Sequence, residues 1–443
     1  MSMISDATGK ILTQYLVTDL GGITRGRGVW ARAEEAPKHS VGWVPANQMI
    51  TPFDTIASPN PWGSQGDRRL YTDPSTKVDV SLSDGRRARF YLCDVGELDG
   101  RPWDVCARTF LKRGLQALEA QGLLIRAAFE QEFWLTMRGS DGLPSPGFSL
   151  ARFMAHEPFG TDVMTVLEGA GLEPEMLLPE FAPEQFELTL KPALGLTAAD
   201  RAVTSRELVR LAASAAQRSA SFSPVRVAGG MGSGVHIHFS LWTLKGDPVT
   251  YDEAAPAGLS PIAASFAGGL VRHMQSLCAL TAPSIISYER LQPHRWSSAY
   301  TCMGDRNREA TLRICPIVTS SKTPANEQFN LEWRASDATA NPYLALGALV
   351  WAGLDGILDG VPAPPLVNED PSALSASSRA AQGVARLPIS LKSAISHLRA
   401  NTKARAWMSD SLFDAYTTIK DCEIALLEGL PSEEVIRRYG QIY

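Results

Sequence analysis

Several short segments of the chain alternate ionisable and apolar residues, which places all the ionisable side chains of a segment on one face. The clearest is a glycine-rich turn followed by Val235-His236-Ile237-His238-Phe239. In a β-strand, residues two apart point to the same side, so the two histidines share a polar face opposite an apolar one. Taken alone, this pattern is more typical of structural, hydrogen-bonded histidines than of metal ligands, because a zinc site would need further ligands at suitable spacing.

Other predicted strands turn charge inward in the same way, and their charges are of two kinds. The carboxylates are Glu130, Glu132, Glu187 and Glu332, with Glu180 seven residues before Glu187, and the cations are Arg313 and Arg334. Buried charges cost several kcal/mol unless they are paired or bind metal. Hard divalent cations prefer carboxylate oxygen, and histidine is a borderline ligand. The pattern therefore predicts a divalent metal site, with arginines suited to a substrate carboxylate or phosphate.

The elements that must position these residues belong to a long chain without strong charge bias. Its 443 residues favour at least two structural units, and a formal net charge of -5 gives no reason to expect nucleic acid or an anionic membrane as partner. The N-terminus lacks the pattern of a signal peptide, and no apolar stretch reaches the length of a membrane span. The six cysteines are scattered without a C-x-x-C pair, as expected for reduced thiols in a cytoplasmic protein.

The pattern of predicted strands and helices changes near residue 100, which predicts a domain boundary there. Residues 1–100 read as a small β-rich unit with a long Pro/Gly/Ser/Asp-rich loop at 51–73, and residues 101–443 alternate strands and helices. Pro102 is expected in the first turn of a helix that runs to about Gly122. A further helix is expected over 197–219, with Thr197 as its N-cap.

The order of six motifs resembles the glutamine synthetase family. The resemblance extends from about Asp94 to the C-terminus and more weakly before that. The matching segments are Glu130–Phe133 (family pattern E-x-E-F), Glu180–Glu187 (E-x-x-P-G-Q-x-E), Gly232–His238 (G-S-G-M-H-x-H), Arg290–Pro293 (R-L-x-P), Arg306–Arg313 (R-N-R-x-A-x-x-R), and Glu332–Asp337 (E-x-R-x-x-D) with Asn341–Leu344 (N-P-Y-L).

The resemblance implies an α+β fold with two domains. An N-terminal β-grasp domain would occupy residues 1–100. A catalytic domain, a curved antiparallel sheet flanked by helices, would occupy residues 101–443. It also implies a homo-oligomeric, dodecamer-like ring in which the small domain of one subunit closes the active site of the next.

The resemblance further implies a set of site residues for ATP, two Mg²⁺ or Mn²⁺ ions and glutamate. One ion would lie among Glu132, Glu180 and Glu187, and the other among Glu130, His236 and Glu332. The remaining residues are Arg290 and Arg334 for the substrate carboxylate and the transferred phosphate, Gly232 for substrate, Arg308 and Arg313 for the phosphates, and Glu175 and His238 near the nucleotide. The γ-carboxylate of glutamate would attack ATP, and an amine would attack the resulting γ-glutamyl phosphate.

Three departures concern the pocket that binds ammonium in ammonia-using members of the family. Trp296 stands where they carry a flap glutamate, the early D-G-S-S loop is absent with Asp54 as the nearest acid, and Phe148 aligns loosely with a pocket tyrosine. Aromatic side chains offer apolar and cation–π surface instead of polar ligands. The sequence therefore predicts a ligase for an organic amine, closer to the γ-glutamyl-amine ligase branch.

Two alternatives remain open at this point. One is an ammonia-using glutamine synthetase with an altered ammonium pocket. The other is a non-catalytic protein of the same fold: a structural protein, which would predict eroded metal ligands, or a sensor of glutamate and ATP, which would retain the site. Met231 and Asn330 also depart from the family pattern in the substrate and nucleotide regions, which leaves open whether the acid substrate is strictly glutamate.

Overall fold

The computed structural model describes residues 9–137 and 146–443, and its N-terminal part is a small sheet. Strands β1 and β6 lie side by side and parallel at its centre, and the other pairs are antiparallel, in the order β2-β1-β6-β4-β3 with β5 also beside β6. The strands are β1 (Lys10–Thr18), β2 (Thr24–Arg32), β3 (Ser40–Trp43), β4 (Arg68–Thr72), β5 (Val78–Ser81) and β6 (Arg87–Gly96).

The rest of the chain is organised around a larger, mostly antiparallel sheet. Its order is β13-β14-β15-β12-β7-β9-β8, with β10 and β11 also paired to β7. The strands are β7 (Leu123–Met137), β8 (Pro174–Pro179), β9 (Gln185–Leu190), β10 (Ala193–Leu194), β11 (Arg218–Ser221), β12 (Val235–Thr243), β13 (Tyr300–Asp305), β14 (Ala310–Ile314) and β15 (Leu331–Trp333). The predicted α+β class is confirmed, because helices flank this sheet.

The helices pack against one face of the larger sheet. Phe239 of β12 packs on Phe266 with ring centroids 5.7 Å apart, and Ile237 and Trp333 are fully buried on the same side. The helices are α1 (Ala107–Glu119), α2 (Leu150–Ala155), α3 (Phe159–Gly169), α4 (Gly195–Ala215), α5 (Pro261–Thr281), α6 (Ser287–Arg290), α7 (Ala325–Gln328), α8 (Pro342–Leu358), α9 (Ala376–Ala381), α10 (Leu391–Ala400), α11 (Thr402–Trp407), α12 (Asp410–Leu427) and α13 (Ser432–Gly440).

Two predicted helix starts are wrong, and in both cases tertiary contacts override the local signal. Helix α4 begins at Gly195 rather than after Thr197, because β10 pairs with β7 and leads directly into the helix. Helix α1 begins at Ala107, since Pro102 instead forms a bridge to Gly96 that extends the end of β6.

Asn341 joins the two sheets and also caps a helix. Its side-chain oxygen accepts hydrogen bonds from the first backbone N–H groups of α8, and its amide nitrogen donates to the Asp19 carbonyl at 2.8 Å. The smaller sheet is thereby held to the helix layer of the larger one. Among residues 9–137 and 146–443, the helices do not combine the length and apolar content that crossing a bilayer requires.

Candidate active site

The face of the larger sheet opposite the helices gathers the predicted ionisable residues from neighbouring strands. Residues directly opposite each other in paired strands point to the same side. The opposed pairs are Glu132 with Glu187, His236 with Glu130, His238 with Glu332, and Arg313 with Glu332. The alternation in the sequence therefore becomes one continuous ionisable surface that spans β9, β7, β12, β15 and β14.

Glu130, His236 and Glu332 form the first cluster on this face, which we call the histidine-side group. The Nδ1 atom of His236 lies 3.3 Å from Glu130 Oε2 and 3.4 Å from Glu332 Oε1. One potential ligand atom from each residue lies within 4.8 Å of those of the other two. This spacing suits one ion bound by two carboxylate oxygens and one imidazole nitrogen.

The histidine-side group is held in the protonation states that bind metal. Although burial opposes ionisation, the charges of Arg334 and the two histidines lower the pKa of Glu332 to about 2. Hydrogen bonds to His236 and His238 likewise outweigh burial and hold the pKa of Glu130 below its usual range. Burial and the nearby Arg334 lower the pKa of His236 to about 4, so its imidazole is neutral at pH 7.

Glu132, Glu180 and Glu187 form the second cluster, which we call the carboxylate group. Glu132 faces Glu187 across β7 and β9, and the negative charge of Glu180 acts on both. Burial and the neighbouring glutamates raise the pKa of Glu187 to about 9. Burial is also the largest cause that raises the pKa of Glu132 to about 7, and it raises that of Glu180. Mutual repulsion of this kind is relieved when a cation binds between the carboxylates.

The side chain of Glu132 is fixed by two hydrogen bonds to one oxygen. Oε2 accepts a hydrogen bond from the Gln185 side-chain amide at 2.8 Å and from the Gly234 backbone N–H at 3.0 Å. The same amide nitrogen of Gln185 also donates to the Gly232 carbonyl at 2.9 Å. Gln185 therefore positions a predicted metal ligand and ties β9 to the turn before β12.

Gly232 and Gly234 are required by the close approach of a buried arginine. A Cβ on Gly232 would lie 2.5 Å from Arg290 Cγ, and one on Gly234 would lie 2.3 Å from Arg290 Nη2 and 3.0 Å from His236 Nε2. The glycines thus let the Arg290 guanidinium run beneath the turn to the histidine-side group. Nη1 of Arg290 is buried and has no hydrogen-bond partner among the residues that the structure describes, as expected of a donor kept for a ligand.

Arg313 and Arg334 are both anchored on Glu332. Arg313 Nη1 donates to Glu332 Oε2 at 2.7 Å, and Arg334 Nη1 donates to Oε1 of the same carboxylate. Arg334 Nε also donates to the Arg308 carbonyl at 2.9 Å. Arg308 itself is exposed, and its charge acts on Glu180. The four predicted arginines therefore border the two carboxylate clusters.

The two residues predicted to lie near the nucleotide have different surroundings. His238 Nδ1 lies 2.9 Å from Asn330 Oδ1, and its Nε2 lies 3.4 Å from Glu130 Oε2. Although burial opposes protonation, contacts with Cys315 and Glu130 raise the pKa of His238 well above its usual value. Glu175 is exposed at an irregularity in the β8–β9 pairing, and the described residues give its side chain no hydrogen bond or ion pair.

Three exposed aromatic rings stack beside the arginines. Trp296 lies between Phe148 and Phe181, with ring centroids 6.4 Å and 5.6 Å apart and interplanar angles of 29° and 19°. The Trp296 carbonyl lies 3.5 Å from Arg334 Nη2, so this aromatic stack adjoins the ionisable face. Trp296 and Phe148 both have positive φ, at 55° and 59°, an uncommon backbone conformation for non-glycine residues.

Sequence reasoning missed several members of this site. Phe181 directly follows a predicted metal ligand, yet no local pattern marks it as part of the stack. Gln185 stands at the glutamine of the resembled motif E-x-x-P-G-Q-x-E. Its role in holding Glu132 depends on the register of β7 and β9, which the motif does not give. The sequence predicts only that Cys315 is a reduced thiol, whereas its Sγ lies 3.6 Å from His238 Nδ1.

The donor set fits hard divalent ions with oxygen-rich ligation. Five carboxylates and one neutral imidazole converge on one face, and three of the carboxylates have raised pKa values that a bound cation would lower. Mg²⁺ and Mn²⁺ accept such ligands together with phosphate oxygens. The histidine-side group therefore has the spacing that one such ion requires. Among the residues that the structure describes, Glu132, Glu180 and Glu187 do not bring their ligand atoms within the same 4.8 Å of one another, so the second ion stays a prediction.

Comparisons with known proteins match one family over nearly the whole chain. Residues 6–103 match the family described as glutamine synthetase N-terminal domain, and residues 104–439 match glutamine synthetase, catalytic domain. The gamma-glutamylpolyamine synthetase GlnA3 of Streptomyces coelicolor is 32% identical over 435 residues, which cover 96% of this chain and 92% of that protein.

Two solved structures are also similar. A novel glutamine synthase homolog superposes with a TM-score of 0.91 at 38% identity, with 100% of each chain covered. The ADP complex of GmaS superposes with a TM-score of 0.82 at 25% identity, covering 98% of this chain and 97% of that one.

Proposed function

Because the chain belongs to the glutamine synthetase family of ATP-dependent C–N ligases, we propose that it joins an organic amine to the γ-carboxylate of glutamate. The observation that carries this proposal is the exposed stack of Phe148, Trp296 and Phe181 beside Arg334. Such a surface binds the hydrocarbon body and the cationic end of an alkylamine or polyamine better than it binds free ammonium.

The metal ions of this proposal would be held by residues that the sheet already orients. The histidine-side group would hold one Mg²⁺ or Mn²⁺ ion and the carboxylate group the other. When bound, such ions neutralise charge on transferring phosphate oxygens. The protein contributes the fixed geometry, since Gln185 and the Gly234 N–H orient Glu132 while Arg313 and Arg334 orient Glu332.

In the first half-reaction, an oxygen of the glutamate γ-carboxylate attacks the terminal phosphorus of ATP, and ADP leaves. Arg308, Arg313 and Arg334 border the histidine-side group and the carboxylate group. They therefore stabilise the charge that builds on the transferred phosphoryl group. The unpaired Nη1 of Arg290 is a donor for the carboxylate of the substrate. The product is γ-glutamyl phosphate, an activated acyl group.

In the second half-reaction, the neutral amine attacks the γ-carbonyl carbon, a C–N bond forms, and phosphate leaves. The aromatic stack would receive the amine as its ammonium form through cation–π contact and pack against its carbon chain. This ammonium gives one proton to a carboxylate, which we assign to Glu309, before the nitrogen attacks, and the proton that the nitrogen loses after the attack leaves with the phosphate. Glu309 lies in the turn between β13 and β14, where its half-buried carboxylate is 3.5 Å from the backbone nitrogen of His294, two residues before Trp296, and it provides negative charge near that cation. Similarity to the gamma-glutamylpolyamine synthetase GlnA3 supports an acceptor of this class.

Phosphate release from ATP tests the proposal when glutamate and Mg²⁺ are present and the amine is varied. The panel contains ammonium, short alkylamines, ethanolamine, polyamines and anilines, with the product mass confirmed by mass spectrometry. We expect turnover with at least one organic amine to exceed turnover with ammonium. Ammonium as the best acceptor would instead identify an ordinary glutamine synthetase, and no phosphate release with any acceptor would favour a non-catalytic protein.

Variants of the stack then connect the acceptor to its site. Trp296→Ala should raise the KM for the amine about tenfold while leaving the KM for ATP unchanged, since a cation–π contact contributes about 1–2 kcal/mol. Leu358→Ala, which removes an exposed apolar side chain at the end of α8, is the matched control and should change neither constant. Equal effects of Trp296→Ala on both substrates would show that Trp296 only packs the loop.

A further inference from the structure

Cys315 places a thiol beside the histidine-side group, at the point where β14 ends. Its Sγ lies 3.6 Å from His238 Nδ1 and 3.9 Å from Glu332 Oε2, and the residue is 7% exposed. One potential ligand atom from each of His238, Cys315 and Glu332 lies within 4.8 Å of those of the other two. The thiol, imidazole and carboxylate therefore converge on a single point.

The separations match those of a tetrahedral zinc site. With Zn–S of about 2.3 Å, Zn–N of about 2.05 Å and Zn–O of about 2.0 Å, tetrahedral angles give about 3.6 Å between sulfur and nitrogen and about 3.5 Å between sulfur and oxygen. The observed distances are 3.6 Å and 3.9 Å. Small side-chain movements, together with displacement of the protons on the Cys315 thiol and the His238 ring, would let these groups bind an ion.

The nature of the donors separates this cluster from the sites for hard ions. Thiolate and imidazole select zinc and similar borderline or soft ions, whereas Mg²⁺ requires oxygen ligands in octahedral geometry. A fourth ligand is available from Asn330, whose Oδ1 lies 2.9 Å from His238 Nδ1. It can bind the ion once the hydrogen bond between these two atoms is broken. Within residues 9–137 and 146–443, the other cluster of this kind is the histidine-side group, which has no cysteine.

We propose that His238, Cys315 and Glu332 form an inhibitory site for Zn²⁺ or a chemically similar ion. Glu332 connects the two clusters, because its Oε1 faces His236 at 3.4 Å while its Oε2 faces Cys315. An ion bound through Oε2 also competes for the oxygen that accepts the hydrogen bond from Arg313 at 2.7 Å. The ion would therefore disturb a predicted ligand of the catalytic metal and an arginine of the phosphate region. This inhibitory consequence, unlike ion binding itself, rests on the proposed function.

Cobalt(II) titration of the metal-free protein tests the site without requiring activity. Thiolate ligation of Co²⁺ produces a ligand-to-metal charge-transfer band in the near ultraviolet, which oxygen and nitrogen ligands do not give. We expect this band in the unaltered protein and in Cys422→Ser, which removes a half-buried thiol on α12. The band should be absent in Cys315→Ser and in Cys315→Ala. Absence of the band from the unaltered protein, or its persistence in both Cys315 variants, would overturn the proposal.

Two further measurements keep the outcome decisive. If the Cys315 variants fail to fold, anomalous diffraction from cadmium-soaked crystals of the unaltered protein must place the ion within bonding distance of Cys315 Sγ; density elsewhere overturns the site.

With active enzyme in excess Mg²⁺, Cys315→Ser should raise the Zn²⁺ concentration for half-inhibition by about 100-fold. An unchanged value would overturn the inhibitory role. A cysteine-dependent cobalt band with no ligase turnover would contradict the proposed function and leave the site intact.

Discussion

The histidine-side group and the carboxylate group both contain glutamates on the same face of the larger sheet, but the pKa values of these glutamates are shifted in opposite directions. In the histidine-side group, buried glutamates are compensated by arginine and histidine, and their pKa values are lowered. In the carboxylate group, buried glutamates mainly face one another, and their pKa values are raised. The first cluster is thus stable in its ionised form, whereas burial and mutual repulsion oppose full ionisation of the second.

This difference assigns different tasks to the two halves of one sheet. The histidine-side group is part of a permanent ion-pair network that connects β15 to β14 through Arg313 and Glu332. The carboxylate group is a site whose full ionisation depends on the ligand. Glutamate therefore stabilises the fold in the histidine-side group and destabilises it in the carboxylate group. Substitution of one glutamate in each group distinguishes these two effects.

The largest effect is expected for Glu332→Gln. Its carboxylate is 1% exposed and neutralises both Arg313 and Arg334, so removal leaves buried arginines without a counter-charge. We expect the free energy of unfolding of the metal-free protein to fall by about 3–5 kcal/mol, together with loss of ligase activity. Chemical denaturation in the presence of a chelator measures the change. Unchanged stability would mean that the ion pairs of Glu332 with Arg313 and Arg334 do not stabilise this part of the sheet.

Glu187→Gln should change stability in the opposite direction. Because the pKa of Glu187 is raised from 4.5 to about 9, the folded metal-free protein loses stability as pH rises from about 4.5 toward 9. Replacement by a neutral amide removes this loss and should stabilise the metal-free protein at pH 8 by on the order of 1–3 kcal/mol. The same variant should lose activity and the stabilisation that Mg²⁺ or Mn²⁺ gives the unaltered protein.

The matched control for Glu187→Gln is Glu175→Gln on the adjacent strand β8. Glu175 is exposed, so its substitution should change stability by less than about 0.5 kcal/mol at any pH. A destabilised Glu187→Gln at pH 8 would contradict the contrast between the two clusters.

Part of this contrast could be read from the chain alone. Alternation with apolar neighbours identified His236, Glu130 and Glu332 as inward-facing, and family motifs supplied the remaining ligands. Which strands lie next to one another, and in what register, depends on long-range pairing that no local pattern encodes. Hence the cation partners of Glu332, the hydrogen bonds of Gln185 and the position of Cys315 became visible only in the fold.

The predicted aromatic pocket shows the same limit. Trp296 and Phe148 were identified as departures from a family pattern, and the structure brings their rings together. Phe181 completes the stack through a loop that packs near Gly147, a contact between segments far apart in the chain. The early start of α4 also depends on such a contact, because β10 is held by β7 before the helix begins.

An intermediate effect is expected where Arg290 passes beneath the turn. In Gly234→Ala the new methyl group would lie 2.3 Å from Arg290 Nη2 and 3.0 Å from His236 Nε2, which forces both side chains to move. Displacement of about 1 Å at catalytic groups can reduce turnover about 100-fold. Steady-state kinetics should show this loss, while Gly440→Ala, at a glycine with open space around its Cβ position, should retain full activity. Full activity of Gly234→Ala would show that the Arg290 contact has no catalytic role.

The smallest effect distinguishes the clusters by the protons that metal binding releases. At pH 7 the histidine-side group is already ionised with a neutral His236, so an ion binding there releases almost no protons. Glu187 and part of Glu132 are protonated at this pH and must ionise, so an ion binding there releases roughly one to two protons. Calorimetric titration in buffers of different ionisation enthalpy measures the number. In Glu187→Gln, which should no longer bind this ion, the release of one to two protons should disappear. An equal number for both proteins would contradict the assigned protonation states.

The central claim, that this sheet activates glutamate for transfer to an organic amine, is tested most directly with glutamate labelled by ¹⁸O in its γ-carboxylate. The labelled substrate, ATP, Mg²⁺ and the best organic amine are incubated with the enzyme, and both products are analysed by mass spectrometry. The account predicts a γ-glutamyl amide and inorganic phosphate that carries one ¹⁸O atom per turnover, because the carboxylate oxygen that attacks ATP leaves with the phosphate. Unlabelled phosphate, or phosphate release without amide formation, would contradict it.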